Sequence, residues 1–327
     1  MLALAVQIVS MFAFIAARDV GLLYFARGLQ GVATGLATGT ITAWLLDLQP
    51  PDNPRLGSLM GSVAPMAGLA GGALLSGLLV QYGPDPLSLV FWLLAVVFII
   101  ALAVMPTVPD VSARTPGWFP SLKPHISIPA GTRSLFVQVT PSLIAAWAMS
   151  GLYLSIGPSL VLHLLQSNNH FVGSLVVVTF SAAGVVGSLI VRALNARLTI
   201  IIGSIALTTG VGVSLLSITI GSGAGFFVGS LITGLGFGPA FSGAFRSLAP
   251  LAPPDRRGSL LSSIFVVSYL AFGIPAVIAG VAITFYGLTD TTYVYGLVVM
   301  VLAAVTTIEA YRTRTRTKIT LLTESNK

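Results

Sequence analysis

The chain has no cysteine and little charge. Among its 327 residues only 8% are Asp, Glu, Lys or Arg. Without thiols there is no disulfide, no thiolate metal site and no cysteine nucleophile. A soluble domain ordinarily carries about 25% charged residues, so a water-facing skin of normal composition is excluded as well. Histidine is scarce: His125, His163 and His170 are too scattered along the chain to suggest a metal cluster. No P-loop occurs, which removes ATP as a direct source of energy. No acidic residue falls in the middle of an apolar stretch, and no catalytic constellation is visible. The chemistry predicted is therefore not enzymatic, and no cofactor is expected.

What remains is apolar. Hydrophobic residues make up 55% of the chain and the mean hydropathy is +0.96. Ten stretches approach the length a bilayer requires: 1–17, 21–46, 57–80, 87–105, 135–165, 170–193, 198–218, 224–248, 258–285 and 292–311. Helices are the expected form, because backbone groups in lipid must be satisfied within their own segment. The alternation of a membrane β-barrel is absent. The first stretch ends in Ala16-Ala17, but its first basic residue, Arg18, follows the apolar run instead of preceding it. It therefore reads as a span and not as a secretory leader.

Charge tests this partition independently. Arg55, then Arg114, Lys123 and Arg133, then Arg192 and Arg197, then Arg246, Arg256 and Arg257, and finally Arg312, Arg314, Arg316, Lys318 and Lys327 all fall on one side of the ten spans. The opposite loops hold only Arg18, and Arg27 lies within the second span. By the positive-inside rule the crowded side is cytoplasmic, and so are both termini. The net charge of +7 then has a topological cause, and nucleic acid is not an expected partner. The basic run 312–318 is an anchor that can touch anionic lipid.

The chain also repeats itself. Pro50-Pro51-Asp52 through Leu59 resembles Pro253-Pro254-Asp255 through Leu260, at an offset of 203 residues. At the same offset Gly31 matches Gly234 and Gly35 matches Gly238, while Tyr82-Gly83 matches Tyr286-Gly287 one residue further on. The second and third spans thus correspond to the eighth and ninth. Spans five and six have no counterpart, and the offset places one about 70 residues ahead of Met1. Two helices are accordingly expected there, which would complete two six-helix halves. The four resulting segments are a truncated helical bundle over 1–105, a central cytoplasmic loop over 106–134, a six-helix bundle over 135–311 and a basic tail over 312–327.

Arg27-Gly28-Leu29-Gln30-Gly31 resembles the Arg-x-x-Gln-Gly signature in the fourth helix of the major facilitator superfamily. Asp47 and the run Pro50 to Arg55 resemble that helix's exit into a cytoplasmic loop. Gly61 and Pro65-Met66-Ala67-Gly68-Leu69-Ala70-Gly71-Gly72 resemble the glycine-proline motif of the fifth helix of the family's antiporters, with Ala64 standing where that motif has glycine. The turn after span six keeps Arg192 and Arg197 but lacks the family's acid. The resemblance covers nearly the whole chain. It implies an all-α integral membrane protein, gradient-driven movement of a small solute by alternating access, and a place in the cell membrane. Efflux by exchange with a proton is the favoured form. Metabolite or sugar uptake, and a transport-inactive scaffold, are the alternatives.

Several residues become candidates. Arg27 is the one basic residue well inside a span, where an unpartnered guanidinium is costly; it either faces a wet cavity or snorkels to the nearby interface. Gln30 shares its face at i+3, and Thr34 joins them as a wall candidate. In span five, which lines the pathway in the family, Tyr153, Ser155 and Ser159 can orient a solute or bond between helices. Thr233 occupies the repeat position of Gln30. Gly31 and Gly35, and Gly68 and Gly72, are spaced for close helix approach. Pro65 and Pro275 fall inside spans and bend them. Asp47 in the family pairs with basic residues of an earlier loop.

Overall fold

The computed structural model describes residues 1–50, 52–53, 56–107, 128, 130–251 and 257–325. It is helical almost throughout. The order is α1 Leu2–Ala16, α2 Val20–Asp47, α3 Leu56–Tyr82, α4 Leu89–Val104, α5 Arg133–Ser155, α6 Gly157–Leu165, α7 His170–Ile190, α8 Ala196–Thr219, α9 Gly223–Leu248 and α10 Arg257–Ser325. Short 3₁₀ turns flank the central segment at Met105–Thr107 and Ala130–Thr132. Most of the central loop, with Arg114 and Lys123, lies outside the described residues, as do Arg55 and Arg256. The chain is thus all-α, as its composition requires.

Two helices depart from the one-stretch, one-helix reading. The fifth stretch is broken at Ile156, where φ is −106° and ψ −31°, and restarts with Pro158 in the first turn of α6. Proline lacks the N–H that a continuous helix would need at that position, and it is well placed one step inside a new helix. The ninth and tenth stretches run together as α10, folded at Gly287 with φ 80° and ψ 169°. Only glycine reaches that conformation readily. Counting the two arms of α10 separately and α5 with α6 together, the described residues hold ten helical segments.

By length and composition, seven segments among the described residues are long and apolar enough to cross a membrane. The two arms of α10 count there as one. The 15-residue α1 is shorter, and α2, rich in glycine and threonine, is less apolar. Side-chain caps start the helices that follow tight turns. Asp19 Oδ1 accepts from the Leu22 amide at 2.8 Å and Asn195 Oδ1 from the Leu198 amide at 2.8 Å. Asn169 and Ser222 do the same for α7 and α9. Each such cap contributes about 1 kcal/mol.

The two halves are not equally filled. In the second, α8 lies along α9, α9 against α7 and α5, and α5 against α10. Phe180, Phe226, Phe237, Phe241 and Phe245 are fully buried there with Tyr153. The first half has a small separate core of Met11, Phe14, Ala26 and Ala95, where α1 meets α2 and α4. α3 joins the halves, packing along α7 and against α9, and α2 reaches α10.

Glycine makes the difference concrete. A Cβ on Gly234 would land on the Phe180 carbonyl oxygen, and one on Gly238 on that of Gly184, because α7 crosses α9 there. Their repeat counterparts Gly31 and Gly35 on α2 have no atom within 4 Å of such a Cβ, and neither do Gly68 and Gly72 on α3. The close approach expected of small residues occurs at Gly57, Gly61 and Gly77, and not at those four. Spacing shows that a helix can come close; it does not show that one does.

Candidate functional site

α2 presents an uncovered face. Arg27, Gly28, Gly31, Thr34 and Gly35 follow one another at helical spacing and all are exposed. Arg27 is held from two sides. Its Nη1 donates to Gln30 Oε1 at 2.5 Å, and its guanidinium carbon lies 5.2 Å from the centre of the Phe14 ring. Phe14 in turn stacks on Phe91 with ring centres 4.7 Å apart. The i+3 relation foreseen for Gln30 is thus realised as a bond. A guanidinium carries five N–H donors, and the bond to Gln30 uses one of them.

The other solute candidates fall into two groups. Ser155 and Ser159 flank the break between α5 and α6 and are exposed; Ser155 Oγ donates back to the Gly151 carbonyl at 2.6 Å. Tyr153 and Thr233 lie inside the second half, both fully buried. Tyr153 Oη is 2.8 Å from Ser214 Oγ and donates to Thr233 Oγ1 at 3.4 Å, so these hydroxyls tie α5, α8 and α9 together. Tyr153 also stacks on Phe180, with ring centres 4.6 Å apart. The structure does not bring the buried pair to the face that carries Arg27.

Between the halves lies a set of contacts that sequence reasoning did not single out. Tyr269 on α10 reaches Thr38 on α2, with 3.5 Å between hydroxyl oxygens. Its ring meets Trp147 edge-on at 5.5 Å, and Trp147 is further boxed by Phe237, Phe241 and Phe272. Trp147 Nε1 is buried without a hydrogen-bond partner. One residue beyond Thr38, a Cβ on Gly39 would lie 3.8 Å from Ser262 Oγ. α3 adds Met66, whose sulfur is 4.0 Å from Ser188 Oγ, and at its far end Gln81 Oε1 accepts from the His170 amide at 2.8 Å. Of this seam, the sequence had pointed to Pro65 and Met66, as part of the glycine-proline motif.

Among the motif residues, Asp47 closes α2 at the end that leads toward α3, and Pro65 lies within α3. Pro275 lies in the first arm of α10 and lines a lateral cavity. His163 and His170 prove to share a surface pocket of about 600 Å³ with Gln166 and Asn168. Among the described residues no three His, Cys, Asp or Glu come together as metal ligands.

With this architecture in view, the comparisons define the class. The family model of the Major Facilitator Superfamily matches residues 1–274, and the chain belongs to that superfamily. It is a multi-pass membrane transporter of small solutes, and members of its family are transporters, not enzymes. Among solved structures it is similar to a bacterial homologue of the iron transporter ferroportin in its outward-facing state. The TM-score is 0.65 at 15% identity, covering 95% of this chain and 82% of the other. The same homologue with soaked iron gives 0.63 at 15% identity, covering 95% and 81%. At that identity the likeness concerns the fold. No curated protein matches by sequence.

Proposed function

We propose that the protein is a gradient-driven transporter working by alternating access, and that it exports small, largely apolar organic solutes in exchange for protons. The observation that carries this reading is the layout of α2. On its first half Arg27 and Thr34 are exposed and Gln30 is half-buried, whereas from Thr38 onward it meets Tyr269 and Ser262 of α10. A wall that is open at one end and sealed at the other is what one inside-or-outside state of such a transporter requires. Positive-inside charge puts the sealed end at the cytoplasm, in the cell membrane with both termini inside. Arg27 then offers donors to an anionic or acceptor group on the solute.

Iron is not the cargo proposed here. The iron-transporter homologue it resembles is related by fold, and the described residues gather no set of three acidic, histidine or cysteine ligands.

The test is reconstitution of the chain in proteoliposomes carrying an imposed pH gradient. Lipophilic dyes and weak acids are added singly, and release of internal protons is followed by a trapped pH dye. Compound-dependent proton movement that Arg27→Ala reduces at least tenfold supports the reading. Flux of sugars without proton movement assigns the chain to uptake, and an absence of flux for every compound class assigns it to a scaffold.

A further inference from the structure

One turn brings together two of the chain's three histidines. His163 stands in the last turn of α6, and His170 opens α7. The residues between them are held by hydrogen bonds. Gln166 closes α6 in the left-handed conformation, with φ 49° and ψ 42°. Its amide and its side-chain Nε2 both donate to the His163 carbonyl, at 3.3 and 2.7 Å, and the Ser167 amide donates to the Leu162 carbonyl at 3.0 Å. The Asn169 amide donates to Ser167 Oγ at 3.2 Å, while Asn169 Oδ1 accepts from the Phe171 and Val172 amides at 3.0 and 3.3 Å. Gln81 of α3 takes the His170 amide at 2.8 Å. None of these bonds uses an imidazole nitrogen, so the turn is ordered without engaging either ring.

Both histidines are exposed, and both line the pocket of about 600 Å³ together with Leu162, Gln166, Ser167 and Asn168. The donor set decides what such a pocket can hold. It contains no carboxylate, which disfavours calcium and magnesium, since these hard cations are held through charged oxygen ligands. It contains no lysine or arginine either, so no fixed positive charge in the lining repels a metal ion. Imidazole nitrogen is the donor that suits zinc, nickel and copper. Gln166 and Asn168 add amide oxygens to the lining, and water can complete the shell of an ion that two protein ligands leave open. Because the turn is already ordered, binding an ion does not require the chain to be arranged first.

We propose that this pocket is a surface site for one divalent transition-metal ion of the zinc, nickel and copper class, held by a ring nitrogen of His163 and one of His170. The site is separate from the Arg27 face and is not a route for cargo. It lies beside a contact between the two halves, because Gln81 on α3 holds the backbone of the same His170 whose ring would take the ion. In sequence the two histidines stand seven positions apart and match no metal motif; the left-handed residue between them supplies the reversal that lets them share one pocket.

The test uses the full chain in detergent, purified through a tag that contains no histidine. Binding of Zn²⁺, Ni²⁺, Cu²⁺, Mg²⁺ and Ca²⁺ is measured by titration calorimetry for wild type, His163→Gln, His170→Gln and the control His125→Gln. Both site histidines are exposed, so their variants do not disturb the core. The expected result is one zinc, nickel or copper ion per chain, with magnesium and calcium giving no binding. His163→Gln and His170→Gln should each weaken zinc at least tenfold, and His125→Gln should leave it unchanged. The electron paramagnetic resonance spectrum of Cu²⁺ on the wild type should show two coordinated imidazole nitrogens, and each site variant should show one. The proposal is overturned by a wild type that binds no zinc, by zinc binding that survives either site variant, or by a loss in His125→Gln equal to theirs. Two ions per chain, of which each site variant removes one, also overturns it, because the histidines would then bind separately. The readout is binding alone, so its outcome is distinct from that of the export reading.

Discussion

The two copies of the internal repeat make a quantitative prediction about glycine. Gly238→Ala places a methyl on the Gly184 carbonyl oxygen, and Gly234→Ala places one on that of Phe180. The obstacle in both cases is backbone, so no rotamer change relieves it, and α7 and α9 must move apart. Overpacking of a filled interior costs about 1–3 kcal/mol, and rigid helix backbone on both sides puts these sites at the upper end. Gly31→Ala and Gly35→Ala meet nothing within 4 Å. There the substitution removes only glycine's excess freedom, worth ~0.5–1 kcal/mol in favour of the helix. The paired variants should therefore differ by about 2–4 kcal/mol. The assay is thermal unfolding of the purified protein in detergent, followed by tryptophan fluorescence. Lower midpoints are expected for Gly234→Ala and Gly238→Ala, and unchanged or raised midpoints for Gly31→Ala and Gly35→Ala. Equal destabilisation by Gly31→Ala and Gly238→Ala would refute the reasoning, since it would mean that the face of α2 is packed as tightly as that of α9.

Other outcomes follow from single contacts. Tyr153→Phe leaves Ser214 without its 2.8 Å partner in a fully buried place, and should cost about 1–3 kcal/mol in the same unfolding assay with little effect on solute affinity. Arg27→Lys keeps the charge but loses the planar fork that reaches Gln30 and stacks on Phe14; transport should fall while the unfolding midpoint stays within a degree or two. The natural absence of cysteine permits a clean cross-link. Gly39→Cys with Ser262→Cys should oxidise readily, because the Cβ and Oγ positions are 3.8 Å apart. It should arrest flux until reductant is added; flux that persists in the oxidised protein would show that α2 and α10 do not separate during transport.

Hydropathy was enough to find the helical stretches, because it acts residue by residue, and seven segments among the described residues are long and apolar enough to cross a membrane. The break at Ile156 was half legible, since Pro158 stands within the fifth stretch, where a proline bends a helix without saying that it restarts. The continuation of α10 through Gly287 was not legible, because it depends on one backbone conformation and not on composition. Site residues fared unevenly for the same reason. Gln30 was placed with Arg27 by helical spacing alone, and the structure joins them. Tyr153 was singled out for its place in span five and Thr233 for its repeat position opposite Gln30. Whether such a group turns to a cavity or to a neighbouring helix is a matter of rotation about the helix axis, and here α8 supplies Ser214 as the partner. Tyr269 and Trp147 went unnoticed because aromatic residues in apolar spans are ordinary; only the approach of α2 gives Tyr269 a contact across the halves.

The repeat shows how one segment can serve two purposes. In α9 the positions equivalent to Arg27 and Gln30 are Ser230 and Thr233, both fully buried, and their hydroxyls donate to carbonyls one turn earlier. Short hydroxyl side chains let α7 and α8 close over α9, and the glycines at 234 and 238 allow the backbones to touch. In α2 the same register carries a guanidinium and an amide, which are too long and too polar to be enclosed that way. Burial of Arg27 beneath a helix would require an acidic partner, and its bond to Gln30 supplies only a neutral one. Arg27→Ser with Gln30→Thr, which rewrites α2 in the pattern of α9, should abolish transport while leaving the protein folded.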